Sequence, residues 1–391
     1  MSKTIKFITS NIFTTVIWFA LSFFAVINQA FRPSSNNYQV YKYAFINLIH
    51  QANLYTPQPE HFLDLNHYGP LFALLIAPFT FFPDGLGSII WTMTNAFVLY
   101  KAIHMLPLTL NQRCAVVLIC AHECMTSSFG TQINPMVAAG IIFSFVLIKN
   151  KQDFWAALAI VAGIYIKIYG IVGLAFFFFS QNKFNLIKGL VFWGLLLFIL
   201  PMPFSSPGFV MQSYHDWYIS LSEKNASNAF TIMQDTSVMG MIRKIFQYPQ
   251  LPNLLVLIPA IVIFATSYLN IKSFNKTTYQ LLVLSSTLIF TVIFSTSSES
   301  PTYIIAFVGV GIWFINLDRP VTRLEVALLV FALIITSFSP SDLFPKYINK
   351  TYIKPYALKA LPCFLIWLKI VYETVSRNFL ATPSATKLND V

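Results

Sequence analysis

The chain has 391 residues, 56% of them apolar and only 10% charged, against roughly a quarter charged in an ordinary soluble domain. That excludes a soluble globule and leaves an all-α polytopic membrane protein, because a helix satisfies its own backbone inside lipid. The net charge of +11 falls in pairs at the ends of apolar runs and forms no basic stripe. It therefore excludes nucleic acid as a partner and reads as a topology signal.

The first apolar run, Ile5 to Phe31, follows only Lys3 and Lys6, and it is too long and too bulky at its end for a cleaved leader, so it is expected to be a retained span. Residues 32–84 then form an unusually polar gap, NNYQVYKYAFINLIHQANLY followed by TPQPEHFLDLNHYGP, which is expected to be the first extracytoplasmic loop. Within it, Gly69 to Phe82 is apolar but short, as an interfacial or re-entrant helix would be.

Further on, the basic residues Lys101/Arg113, Lys149/Lys151, Lys183/Lys188, Lys272/Lys276, Arg319/Arg323 and Arg377/Lys387 mark cytoplasmic turns. Placing them on one side predicts about twelve spans, near residues 8–31, 85–106, 113–129, 132–148, 153–166, 168–181, 185–203, 251–271, 277–295, 301–316, 321–338 and 355–375. Both termini are then cytoplasmic, and residues 1–391 form a single integral membrane domain. The second large outer loop covers 204–250 and contains TSVMGMIRKIF, whose apolar residues recur at helical spacing as in a surface helix.

The four cysteines, Cys114, Cys120, Cys124 and Cys363, fall in apolar runs without metal-ligand spacing and read as packing residues. No Walker A, GxSxG, HExxH or CxxC pattern occurs, so nothing supports ATP-driven, serine-hydrolase or zinc chemistry. No metal and no other cofactor is expected. The spans show no internal duplication, which weighs against a transporter built from repeats.

Polar residues in such a chain need a reason. Asp64 sits in HFLDLNHYGP between His61 and His67, on a loop held by Pro57, Pro59 and Pro70, where a carboxylate beside an apolar helix suits a general base. Lys167 lies inside AIVAGIYIKIYGIVGLAF with no acid nearby in sequence. An ammonium there costs several kcal/mol unless something pairs with it, so it is expected to break two short spans and hold an anionic group such as a lipid phosphate. His122 and Glu123, with Gln132 and Asn134 in the following turn, form a cluster suited either to a polyhydroxy substrate or to helix joining.

In the second loop, His215, Asp216 and Trp217 suit sugar stacking, and Arg243/Lys244 suit a lipid phosphate or the anchoring of a surface helix. Glu299 is a lone acid in the tight turn STSSESP.

The order of these features resembles the GT-C glycosyltransferases, in particular the family 87 polyprenyl-phosphate-mannose-dependent mannosyltransferases. The matching residues are Asn37, Tyr38, Tyr41 and Ala44 in a Y-x-x-Y-x-x-A helix, Tyr68 to Leu75, the GTQIN turn from Gly130 to Asn134, the segment ending at Lys167, and SESPTY from Ser298 to Tyr303. The resemblance implies a GT-C helical bundle in the cell (inner) membrane whose extracytoplasmic loops build the site. It implies a hexosyltransferase that moves a sugar, mannose by analogy, from a polyprenyl-phosphate donor to a glycolipid or glycan acceptor in envelope glycan synthesis.

The aspartate such enzymes commonly carry at the start of the Y-x-x-Y helix corresponds to Asn37, and an amide cannot take a proton. The base is therefore expected at Asp64 or, further along the same loop, Glu60. Asn37, Tyr41, Glu60, His67, Gln132, Asn134, Lys167, Asp216, Arg243 and Glu299 are the expected substrate-binding residues. Two other readings stay open: a transporter or lipid flippase using Lys167, Glu123 and Glu299 as intramembrane charges, and a catalytically silent glycan-binding relative, which Asn37 favours.

Overall fold

A computed structural model of the chain describes residues 10–30, 36–228, 231 and 234–380. The topology markers Lys3, Lys6 and Lys387 lie outside them. Among the described residues every regular element is a helix. In chain order the main ones are α1 (Asn11–Ala30), α2 (Asn36–His50), α3 (Pro70–Thr80), α4 (Asp84–His104), α5 (Leu110–Phe129), α6 (Asn134–Lys149) and α7 (Asp153–Lys167). After a 3-10 arm (Ile168–Phe179) come α8 (Lys183–Ile199), α9 (Pro207–Asn228), α10 (Val238–Ile245), α11 (Asn253–Thr266), α12 (Thr277–Ile293), α13 (Tyr303–Ile315), α14 (Arg323–Phe331) and α15 (Ala360–Ser376).

The centre of the bundle is α13, buried from Tyr303 to Trp313, beside α12, buried almost end to end. A helix apolar on every face belongs inside other helices. At 13 residues, α13 is about 20 Å long, short of the roughly 30 Å of a hydrocarbon core, so it is enclosed by protein. Around it pack Val116 and Cys120 of α5, Phe145 of α6 and Trp367 of α15. By contrast α1, α8 and α11 turn Ile12, Phe24, Leu195, Leu255 and Val262 outward, the surface a membrane would cover.

Among the described residues, three helical stretches are long and apolar enough, by length and composition, to cross a membrane: Asn11–Ala30, Asp153–Phe179 and Lys183–Phe204. A fourth results if Pro70–Thr80 and Asp84–His104, bent by 118° at their junction, count as one, and four shorter apolar helices accompany them. The expectation of twelve spans is therefore not confirmed. Counting apolar runs between basic pairs assumes that each run faces lipid at full length, whereas α13 is short and enclosed, and 321–338 is a 9-residue α-helix that widens into a π-helix.

Asp153–Phe179 is not straight. A Cβ built on Gly163 would lie 2.7 Å from the Cα of Gly170, and one on Gly173 would lie 2.7 Å from Ile160 Cγ1. In a continuous helix residues seven apart are about 10 Å apart, so α7 and the 3-10 arm fold back on each other with Lys167 at the tip. The expected break at Lys167 is present, although its second arm is 3-10 rather than α.

The bend between α3 and α4 is clamped by α2: Lys42 Nζ and Gln39 Nε2 donate to the Asp84 carboxylate at 2.6 and 2.8 Å, and Tyr38 donates to Phe79 O at 2.8 Å. This fixes the expected membrane-lying helix of the first loop against the tip at Lys167. Gly69 N donates to Ile166 O at 3.2 Å, and a Cβ on Gly69 would fall 2.1 Å from Tyr165 O. Only glycine permits that approach.

Candidate functional site

Loops at one end of the bundle enclose a cavity of about 290 Å³ whose lining includes Asn37, Tyr41, Asp64, His67, Gln132, Lys167, Lys224 and Glu299. It is the end opposite the basic turns. Lys149, at the far end of α6, donates to Thr277 and Gln280 at the start of α12, and Arg319 joins Glu325 to Glu373 there. The cavity instead meets the start of α6, the end of α12 and the tip at Lys167.

Its floor is aromatic. Tyr41 and Tyr68 share a hydrogen bond at 3.2 Å, Tyr68 stacks on Phe72 at 4.5 Å, and Tyr55 donates to Tyr68 O at 3.0 Å. Burial pushes both the Tyr41 and Tyr68 phenols well above their ordinary value, so they remain protonated donors.

Lys167 Nζ donates to Asn134 Oδ1 at 2.8 Å and lies 5.7 Å from the ring centroid of Tyr68 and 5.1 Å from that of Tyr169. Among the described residues it makes no ion pair. An amide orients the ammonium without neutralising it, leaving the charge available to an anion. Lys224 is a second cation, 3.9 Å from Glu299 Oε1. It lies on the face of α9 that also carries Trp217 and Leu221 into the cavity.

Asp64 is exposed and accepts the Leu65 N–H at 2.8 Å. His67 Nδ1 bonds Ser220 Oγ at 2.8 Å, while Trp217 Nε1 donates to His67 O at 2.9 Å. Burial, reinforced by Lys224 and Lys167 against the opposing pull of Asp64, lowers the His67 pKa to about 4. The imidazole is therefore neutral at physiological pH.

Of the expected site residues, Asn37, Tyr41, Asp64, His67, Gln132, Lys167 and Glu299 line this cavity. Asn134 stands behind it, holding Lys167. Asn37 spends its amide on Gly130 O at 2.7 Å.

Three expected residues are placed elsewhere. Glu60 borders a separate shallow depression with Tyr43 and His61. Asp216 points away from the cavity to Asn53 and Gln212, at 2.9 and 2.8 Å. Arg243 is buried in an ion pair with Asp235 at 2.6 Å and donates to Leu251 O, so its charge is already used. Sequence reading missed Lys224, although its spacing of seven from Trp217 puts both on one helical face. It also missed Tyr169 and Asn225, which no local pattern distinguishes.

An apolar groove of about 350 Å³ leaves the cavity at Ile168, Tyr169 and Asn225 and runs past Val172, Leu257 and Phe294. Leu257 belongs to α11, whose outer face is exposed. The groove thus joins a charged chamber to the lipid-facing surface.

An all-helical, apolar bundle with such a chamber at one end has the form of an integral membrane enzyme. The chain belongs to glycosyltransferase family 87, whose family model matches residues 66–297, more than half of its length. It is a membrane glycosyltransferase. His67, Gln132, Lys167 and Lys224 fall within the matched segment, whereas Asn37, Asp64 and Glu299 lie outside it. Among solved structures the chain is similar to ArnT from Cupriavidus metallidurans in the apo state, at 12% identity and TM-score 0.46, over 94% of this chain and 77% of that one. No curated protein matches.

Proposed function

We propose that the chain is a GT-C hexosyltransferase that moves a sugar, mannose by family analogy, from a polyprenyl-phosphate donor to the hydroxyl of a glycolipid or glycan acceptor. The donor's chain lies in the apolar groove beside Leu257 and Phe294, and its phosphate meets Lys167 and Lys224. Asp64 takes the proton of the acceptor hydroxyl as that oxygen bonds to the anomeric carbon. The bond from that carbon to the phosphate oxygen breaks with its electrons on the phosphate, whose charge the two lysines stabilise. Trp217 offers an indole face for the sugar.

The observation that carries this reading is Lys167, a cation that makes no ion pair among the described residues, sharing one cavity with Asp64 and Glu299. The basic turns at the far end support an extracytoplasmic position for the cavity, by the positive-inside rule. The test is transfer from polyprenyl-phosphate-mannose by purified Asp64→Asn protein. A drop of at least about 100-fold is expected for loss of a general base, and undiminished turnover would remove Asp64 from the mechanism.

A further inference from the structure

A larger cavity, about 860 Å³, lies across the turn that bounds the first. Glu299 and Thr302 line the first cavity and Ser300, between them in the chain, lines the second. Its lining carries the exposed, oppositely charged Asp342 and Lys354, and deeper in it the charged group is Lys359. Lys359 Nζ stands 3.3 and 3.5 Å from the two carboxylate oxygens of Glu123, and both side chains are buried, so the charges cancel locally.

The same ammonium donates to Ser300 Oγ at 2.9 Å and Ser300 O at 3.1 Å. With Ser300 Oγ accepting from Lys359, its own proton is left to donate. Beside it, His122 bonds Ser337 through Nδ1 at 3.0 Å, whereas His122 Nε2 is buried and has no partner among the described residues. Buried polar atoms are rarely left unpaired. Leu21, Phe24 and Phe129 give it an apolar side, with Phe24 turned 60% outward from α1.

We propose that this second cavity binds a lipid with an uncharged, hydroxyl-bearing headgroup, of the glycosylated diacylglycerol class. The hydroxyls meet Ser300 and His122, and the acyl chains leave past Phe24 into the membrane. The buried cation, Lys359, is already matched by Glu123, and the exposed Lys354 of the lining is offset in formal charge by Asp342, so the cavity offers an anionic headgroup no net positive charge. The inference asks only for binding, so it stands or falls independently of the role given to Asp64.

The test uses the full chain in an amine-oxide detergent, which brings no sugar headgroup to compete. Native mass spectrometry measures binding of monoglucosyl-diacylglycerol, diacylglycerol and phosphatidic acid with identical acyl chains. The glucosyl lipid is expected to bind about tenfold more tightly than either of the others. That preference should disappear in Ser300→Ala and His122→Phe and persist in Asp64→Asn. Equal binding of the glucosyl lipid and diacylglycerol, or tighter binding of phosphatidic acid, would overturn the proposal without a variant being needed. So would a preference that survives both second-cavity variants.

Discussion

Gly163 and Gly170 meet backbone to backbone across the tip of a helical hairpin, and that contact sets Lys167 at the cavity instead of in lipid. A Cβ on Gly170 would fall 2.3 Å from the carbonyl carbon of Gly163 and 2.4 Å from Ile164 N. Gly170→Ala is therefore expected to force the arms apart and lower stability by about 1–3 kcal/mol, as overpacking generally does. Thermal denaturation in detergent checks this. An unchanged melting temperature would mean that the arms have room to separate.

The two cations expected at a phosphate should respond oppositely to removal. Lys167 has no ion-pair partner among the described residues, so Lys167→Met is expected to leave the melting temperature nearly unchanged and to cut turnover by about 100- to 1000-fold, the scale for losing one preorganised charge-stabilising group. Arg243→Met breaks a buried pair with Asp235 and is expected to cost about 3–5 kcal/mol of stability. Measuring turnover and melting on both variants separates a ligand-facing cation from a structural one.

His67 should make stability pH-dependent. Its pKa of about 4 in the folded chain lies below the value of about 6.5 for an unperturbed histidine. The folded state thus binds fewer protons than the unfolded one, and stability rises with pH. The contribution is fully present above about pH 6.5 and is lost as pH falls toward the folded-state pKa of about 4. His67→Asn is expected to flatten the melting-temperature profile across this window. A variant profile parallel to that of the unaltered chain would assign the acid sensitivity to other groups.

Restoring an acid at position 37 is expected not to restore a base. Asn37 Nδ2 donates to Gly130 O, and a carboxylate there would face that carbonyl with nothing to donate. Asn37→Asp should therefore lose about 1–3 kcal/mol with no gain in turnover. An increase in transfer rate would return the base to the first helix of the loop and displace Asp64.

Much of the site was legible in the sequence because polar groups are rare in this chain. Lys167 stood out inside an apolar run, and Asp64, His67, Gln132 and Glu299 stood out in the short polar stretches between such runs; all of them reach one cavity. Arg243 and Asp216 looked equally suitable, but whether a charge is already satisfied depends on a partner. Asp235 is close to Arg243 in sequence and still gave no sign that the pair would be buried. Asn53, which holds Asp216, is 163 residues away.

The same limit divided the cluster that ran from His122 to Asn134. Its members follow one another closely, yet the end of α5 and the turn after it direct His122 to one cavity and Gln132 to another. The sequence by itself determined that the chain is helical, membrane-embedded and broken at Lys167, because apolar length, charge placement and an isolated ammonium are local quantities. The tertiary structure decided which helices are enclosed by others, which charges are paired and which turn separates the cavities, since each of these depends on contacts between residues far apart in the chain.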